Sequence, residues 1–157
     1  MSGAVAAIDC GTNAVRLLVA EVTDDGVLHE HVRLMRIVRL GEGIDRTGEF
    51  APAALDRTFA ALDEYAGVIA DHGVERVRFV ATSASRDARN RDAFVDGVRS
   101  RLGIAPEVIS GTEEAALSFL GAVRGLPDGL AEVPALVVDI GGGSTEFVLG
   151  VDAPEHA

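Results

Sequence analysis

Two stretches of this sequence carry residue types and spacings suited to holding a phosphate: Val5-Ala6-Ala7-Ile8-Asp9-Cys10-Gly11-Thr12-Asn13 and Leu136-Val137-Val138-Asp139-Ile140-Gly141-Gly142-Gly143-Ser144-Thr145. In each, a short apolar run ends at a carboxylate, the backbone turns through small residues, and a second apolar run follows. That pattern predicts a β-hairpin with a functional tip. Successive backbone N–H groups in such a turn point into one concavity and bind oxyanions, while the neighbouring aspartate can hold a divalent cation that neutralises them. Gly11, Thr12, Asn13, Gly141, Gly142, Gly143 and Ser144 are therefore candidate phosphate-contacting residues, and Asp9 and Asp139 candidate ligands for Mg²⁺ or another divalent cation. A turn aspartate can instead bond only to nearby backbone N–H groups. Phosphoryl chemistry is the leading expectation.

Composition bounds what else the chain can be. With 157 residues, 48% of them apolar, it can bury a real core as a soluble globular protein. It has no run near the roughly 18 apolar residues that span a bilayer, and residues 1–7 lack the pattern of a secretion signal, so a cytoplasmic location without membrane association is expected. The net charge of −11 argues against a general nucleic-acid surface. All fourteen basic residues are arginine, which excludes a Walker-type phosphate loop with its lysine and leaves arginine as the side-chain cation for phosphate. Cys10 is the single cysteine, expected as a packed thiol, and His29, His31, His72 and His156 show no metal-site spacing.

The elements that must position the two turns follow from periodicity. Strands are expected at 4–9 and 14–22, with a long third strand at 27–41 whose Arg33, Arg36 and Arg39 form a solvated face. Pro52 opens a helix with Leu55, Phe59, Leu62, Ala66 and Ile69 on its apolar stripe, and Gly73 stops it. A buried-type strand at 77–81 leads to a polar turn at 82–87 and a helix at about 90–102 that turns Phe94, Val95, Val98 and Leu102 inward. After a short strand at 107–109, Ser110-Gly111-Thr112-Glu113 matches the capping box of a helix reaching about Arg124, with Ala116, Leu117, Leu120 and Val123 as its apolar face. The segment 125–134, with two prolines and two glycines, reads as a linker. Three strands followed by alternating helices and strands give an α/β fold with a mixed sheet flanked by helices.

Four stretches in order carry a resemblance: Ile8 to Leu17, ATSASRDA at 81–88, ISGTEEAA at 109–116 and VDIGGGSTE at 138–146. The chain resembles the N-terminal half of the exopolyphosphatase and guanosine pentaphosphate phosphatase family, within the actin, Hsp70 and sugar-kinase superfamily. The resemblance implies two ribonuclease-H-like domains across a cleft: a first domain at 1–128, then at 129–157 a linker and the opening hairpin of a second, truncated domain. An isolated hairpin is marginally stable in water, so turnover by these 157 residues alone is not expected.

The resemblance also assigns roles. It places Glu114 at the family's catalytic glutamate, as general base toward water, whereas a bare helix reading gives it only a favourable charge near the helix dipole. Glu113 is expected to cap the helix. Arg86, after a strand and inside the ATSASRDA signature, is expected to grip phosphate oxygens, the competing role being an ion pair with Asp87 or Asp92. Arg16 either supports the first loop and its phosphate or holds the fold. Glu146 is implied as a further metal ligand or water-positioning group. Ala116 departs from the pattern, since members often carry arginine there, and this puts tight binding of long polyphosphate in question. The implied partner is inorganic polyphosphate or guanosine pentaphosphate, with a homodimer as a candidate assembly. The alternatives are an ATP-dependent kinase of the same superfamily and a polyphosphate or nucleotide sensor that hydrolyses nothing.

Overall fold

The computed structural model describes residues 3–24, 26–126, 134–151 and 153–156. β1 (Val5–Cys10), β2 (Ala14–Val22) and β3 (Leu28–Ile37) form an antiparallel meander; β4 (Arg76–Ala81) runs parallel to β1 and β5 (Glu107–Val108) parallel to β4, in the order β3-β2-β1-β4-β5. Alternation along the strands sends Ile8, Cys10, Val15, Leu17, Val19, Phe79 and Ala81 to one face, all at most 1% exposed. That face packs in one core with Leu62 and Tyr65 of α2 (Pro52–Asp71) and Phe94 and Val98 of α4 (Arg91–Leu102). Each large apolar side chain removed from water here contributes about 2 kcal/mol. Tyr65 belongs in this core because its hydroxyl donates to the Val15 carbonyl at 2.9 Å.

The stripe of α2 is rotated from its expected place. Ala54, Thr58, Ala61, Leu62 and Tyr65 are buried, while Leu55, Phe59 and Ile69 pack at the margin. Small residues face the sheet because the helix lies close to it; Thr58 is admitted because its hydroxyl donates to Ala54 O at 2.8 Å. β3 ends at Ile37 rather than 41, because Arg39 takes a left-handed φ of 50° and both Val38 N and Arg39 N turn back to donate to Asn13 O. Arg33 and Arg36 are both exposed but stand on opposite faces of the strand, Arg33 paired with Glu30 and Arg36, on the side of α2, with Glu64, so the expected single arginine face does not form. After α1 (Ile44–Thr47), the carboxamide of Asn90 accepts from Phe50 N and donates to Phe50 O, joining that loop to the start of α4.

The expected polar turn at 82–87 is instead α3 (Ser83–Asp87). Thr82 O accepts from Ser85 N and Arg86 N, and Ala84, Ser85 and Ala88 are buried at 4%, 1% and 6% exposure. Burial of two alanines against the core outweighs the helix-averse serines. α5 (Gly111–Val123) is N-capped as expected, with Ser110 Oγ accepting from Glu113 N at 3.1 Å, but the Glu113 carboxylate goes to Arg78 at 3.1 Å. The buried face of α5 is Ala115, Phe119 and Val123, with Leu117 at 37% exposure. It differs from the expected one because α5 packs on a second sheet of β6 (Ala135–Ile140), β7 (Thr145–Gly150) and β8 (Pro154–His156), forming a separate core with Val148, Ala135 and Val137. The helix placed by sequence within 1–128 thus makes its apolar contacts with the later sheet. Most of the expected linker, 127–133, lies outside the described residues.

Candidate active site

Both predicted hairpins form, with tips of the same construction. Gly11 N donates to Ala14 O at 3.0 Å and Gly141 N donates to Ser144 O at 2.9 Å, each closing a four-residue turn. The first tip is further held from outside: Asn13 O accepts from Val38 N and Arg39 N, and Thr12 O accepts from Gly41 N. With its carbonyls occupied there, the loop is left with N–H groups to offer an anion. The two tips touch. A Cβ placed on Gly142 would lie 3.1 Å from Asn13 Cβ, and one on Gly143 would lie 2.7 Å from Thr12 Oγ1 and 2.8 Å from Ser83 Oγ, so Gly143 must lack a side chain.

One cleft of about 640 Å³ lies between the tips, lined by Asp9, Gly11, Thr12, Asn13, Arg16, Glu114, Asp139, Gly141, Gly142, Gly143 and Ser144. The sequence-nominated positions are the two tips with Asp9, Asp139, Arg16, Glu114, Arg86 and Glu146, and of these Arg86 and Glu146 alone stand outside that lining.

Glu114 sits in the first turn of α5 with its side chain 17% exposed. Burial pushes its carboxyl above the ordinary glutamate range; a hydrogen bond from Arg86 works against this, and the negative charge of Glu146 adds to it. Arg86 Nη1 donates both to Glu114 Oε2 at 3.0 Å and to the Ile109 carbonyl at 2.8 Å. Arg86 therefore meets the carboxylate beside the cleft, and among the described side chains its ion pair is with Glu114 rather than Asp92; the Asp87 side chain lies outside the described ones. Such a contact holds the carboxylate in one orientation and favours its ionised form.

The two turn aspartates have opposite partners. On the first hairpin Asp9 stands across from Arg16, and the pair is bonded at 2.9 Å with both side chains about half exposed. On the second, Asp139 stands across from Glu146. Period-two alternation puts these two carboxylates on the side of Val137 and Val148, the side that packs on α5, so they face the helix that carries Glu114. Among the described residues no cluster of three or more His, Cys, Asp or Glu forms a cation cage. A Mg²⁺ ion does not need one: it keeps waters and is held by one or two carboxylates plus substrate phosphates, a donor set that Asp139 and Glu146 match. Asp9, already paired with an arginine, matches it less well. Cys10 is fully enclosed, and burial, then the charge of Asp9, drives its thiol far above the ordinary range, consistent with a packed protonated side chain.

Sequence reasoning did not nominate Thr82 and Ser83, which line the cleft at 6% and 8% exposure. Ser83 Oγ lies 2.9 Å from Thr12 Oγ1. Their signal was the pair of hydroxyl residues directly after an apolar strand, where α/β folds gather their ligand loops.

Two sheets whose opening hairpins present matched tips over a shared cleft define the actin-like ATPase class of α/β folds. This chain belongs to the Ppx/GppA phosphatase family, whose model matches residues 18–156. It is 56% identical over 154 residues to Exopolyphosphatase 2 of Mycobacterium tuberculosis, an alignment covering 93% of this chain and 48% of that protein. Among solved structures it is similar to an exopolyphosphatase-like protein at a TM-score of 0.90 and 55% identity, over 96% of this chain and 46% of the other. The Ppx/GppA family member from Aquifex aeolicus matches at a TM-score of 0.82 and 35% identity, over 99% of this chain and 50% of the other. The chain spans about half the length of these relatives. No helix among the described residues is long and apolar enough to cross a membrane.

Proposed function

We propose that the intact protein carrying this chain removes the terminal phosphate of inorganic polyphosphate by attack of water, with guanosine pentaphosphate as the second candidate substrate. The observation that carries this reading is the convergence of both glycine turns and the Glu114 carboxylate on one cleft. Thr12 and Asn13 on one side and Gly142, Gly143 and Ser144 on the other offer N–H groups to phosphate oxygens, while Gly11 N and Gly141 N close their own turns. Preorganised donors of this kind stabilise charge that develops on the transferred group. Glu114 takes the proton of the attacking water; the water oxygen bonds to the terminal phosphorus, and the bridging P–O bond breaks with its electron pair leaving on the shortened chain. A carboxyl raised by burial and still oriented by Arg86 suits a base of this kind. Asp139 and Glu146 would hold Mg²⁺, with Asp9 nearby in the cleft; bound there, the ion would neutralise phosphate charge. The name of the mycobacterial relative supports polyphosphate over a nucleotide.

The test is phosphate release by the intact protein from polyphosphate, guanosine pentaphosphate and ATP, with and without Mg²⁺, for wild type and Glu114→Gln. Release from polyphosphate that falls by about 10²-fold or more in the variant is expected. Release from none of the three substrates by wild type refutes the hydrolytic reading and leaves a sensor. ATP consumed only together with an acceptor identifies a kinase.

A further inference from the structure

The segment that follows β3 holds the carbonyl side of the first turn: Asn13 O accepts from Val38 N at 3.0 Å and Arg39 N at 2.9 Å, and Thr12 O accepts from Gly41 N at 2.9 Å. That segment is itself constrained. Glu42 N donates to Arg39 O at 3.0 Å, and among the described residues Arg39 alone of the non-glycines has a left-handed φ, 50°, a conformation that persists only where its surroundings hold it. One side chain holds both ends. Arg57 of α2 donates through Nε to Val38 O at 2.8 Å and through Nη2 to Glu42 Oε2 at 2.7 Å. The amide joining Val38 to Arg39 therefore takes a guanidinium on its oxygen and gives its N–H to Asn13 O, an arrangement in which each bond polarises the other. There is no slack further along, since a Cβ placed on Gly41 would lie 2.3 Å from Thr12 Cγ2.

We propose that Arg57, which lies outside the lining of the cleft, is a positioning residue for the phosphate seat: it sets Thr12 and Asn13 through the Val38–Arg39 amide. An exposed ion pair with Glu42 would by itself matter little. The bond to Val38 O is what carries its influence to the turn. Because its bonds run to the first turn and not to Glu114, its effect falls on substrate binding and leaves the proton transfer alone. The assignment rests on the reading of that turn as a seat for phosphate. Arg36 supplies the comparison, since it too ties β3 to α2, through Glu64, yet its side chain bonds only to Glu64 and the Met35 carbonyl among the described residues.

The experiment measures polyphosphate hydrolysis by the intact protein, and hydrogen exchange of the amides at 38–42, in wild type, Arg57→Ala, Arg57→Lys and Arg36→Ala, with thermal midpoints to show which variants fold. Arg57→Ala is expected to raise KM about tenfold, the size of one hydrogen bond from a charged group, with kcat within about twofold of wild type. Exchange at 38–42 is expected to quicken in the same variant. Arg57→Lys, which keeps the charge but not the planar fork that serves two acceptors, is expected to move both readouts in the same direction by less. Arg36→Ala is expected to move neither. Exchange and KM unchanged in whichever Arg57 variants fold, a loss confined to kcat, or an equal rise of KM in Arg36→Ala overturns the inference while leaving Glu114 as base. No hydrolysis by wild type overturns the functional reading and, with it, this one.

Discussion

The first and second hairpins bend through tips of the same shape, yet they are supported differently and charged differently. The first lies in the centre of a five-stranded sheet, with Ile8, Val15 and Leu17 sealed in the main core and the carbonyls of its tip held by Val38, Arg39 and Gly41. The second lies in a three-stranded sheet whose inner side meets α5 and whose other side exposes Leu136, Val138, Ile140, Phe147 and Leu149; among the described residues its tip is closed by its own Gly141–Ser144 bond. Two positions before each turn glycine stands an aspartate, but across the ladder Asp9 meets Arg16 and Asp139 meets Glu146. Repetition of a shape has therefore not repeated a role. The first tip carries a carboxylate paired with an arginine of its own hairpin on a turn held from outside, and the second carries two facing carboxylates, the pair on which the proposed Mg²⁺ site rests.

The largest expected difference is in stability. Leu17→Ala, at a site 1% exposed, is expected to destabilise the 157-residue chain by about 3 kcal/mol, whereas Phe147→Ala, at 60% exposure, costs less than about 1 kcal/mol. Urea unfolding of the two variants measures this, and equal losses would erase the distinction between a sealed and an open sheet.

Next is the asymmetry of the glycines. Gly143→Ala drives a methyl to within 3 Å of Thr12 Oγ1 and Ser83 Oγ, and overpacking of about 2 kcal/mol should appear as a loss near 30-fold in kcat/KM of the intact protein. Gly11→Ala meets nothing closer than 3.7 Å and is expected to stay within about twofold of wild type. Reversal of that order would place the tips differently from the arrangement described.

A smaller effect separates the two cross-strand partners. Glu146→Gln should raise the Mg²⁺ concentration for half-maximal activity by at least the roughly tenfold carried even by residues behind a metal ligand, and Arg16→Gln should leave it nearly unchanged. A metal titration of both variants decides whether the charge difference between the hairpins has this meaning.

The least pronounced expectation concerns pH. A base must be ionised, so kcat/KM is expected to fall as pH drops through the titration of Glu114, which burial raises above the ordinary glutamate range. Because Glu146 contributes to that rise, Glu146→Gln should move the acid limb of the profile to lower pH. An acid limb unchanged in this variant would show that the second hairpin does not reach the base electrostatically.

What could be read from sequence divides along the range of the interactions. The tips, the Pro52 start of α2, the Ser110 cap and the approximate strands were legible because each depends on neighbours a few residues away. Even the Asp9–Arg16 and Asp139–Glu146 pairings follow by counting from the turn once the tip is fixed. The face of α5 was misread because its partner is a sheet beginning twelve residues after its end, and the helix at 83–87 was missed because long-range packing, absent from local patterning, buries its alanines. Glu113 could be matched to a capping box but not to Arg78, 35 positions earlier. Arg86 was recognised as important from its signature; that its guanidinium would be divided between Glu114 and the Ile109 carbonyl required coordinates.

Because Val38, Arg39 and Gly41 fasten the first turn from outside, while among the described residues the second is closed by a bond internal to itself, the two sides would contribute unequally to the heat and disorder of the phosphate capture proposed above. A calorimetric titration with a short phosphate chain should show an entropic penalty that originates in the glycine triplet. Shortening the conformational freedom of residues 141–143 by design, rather than adding contacts at residues 11–13, is the economical route to a tighter binder.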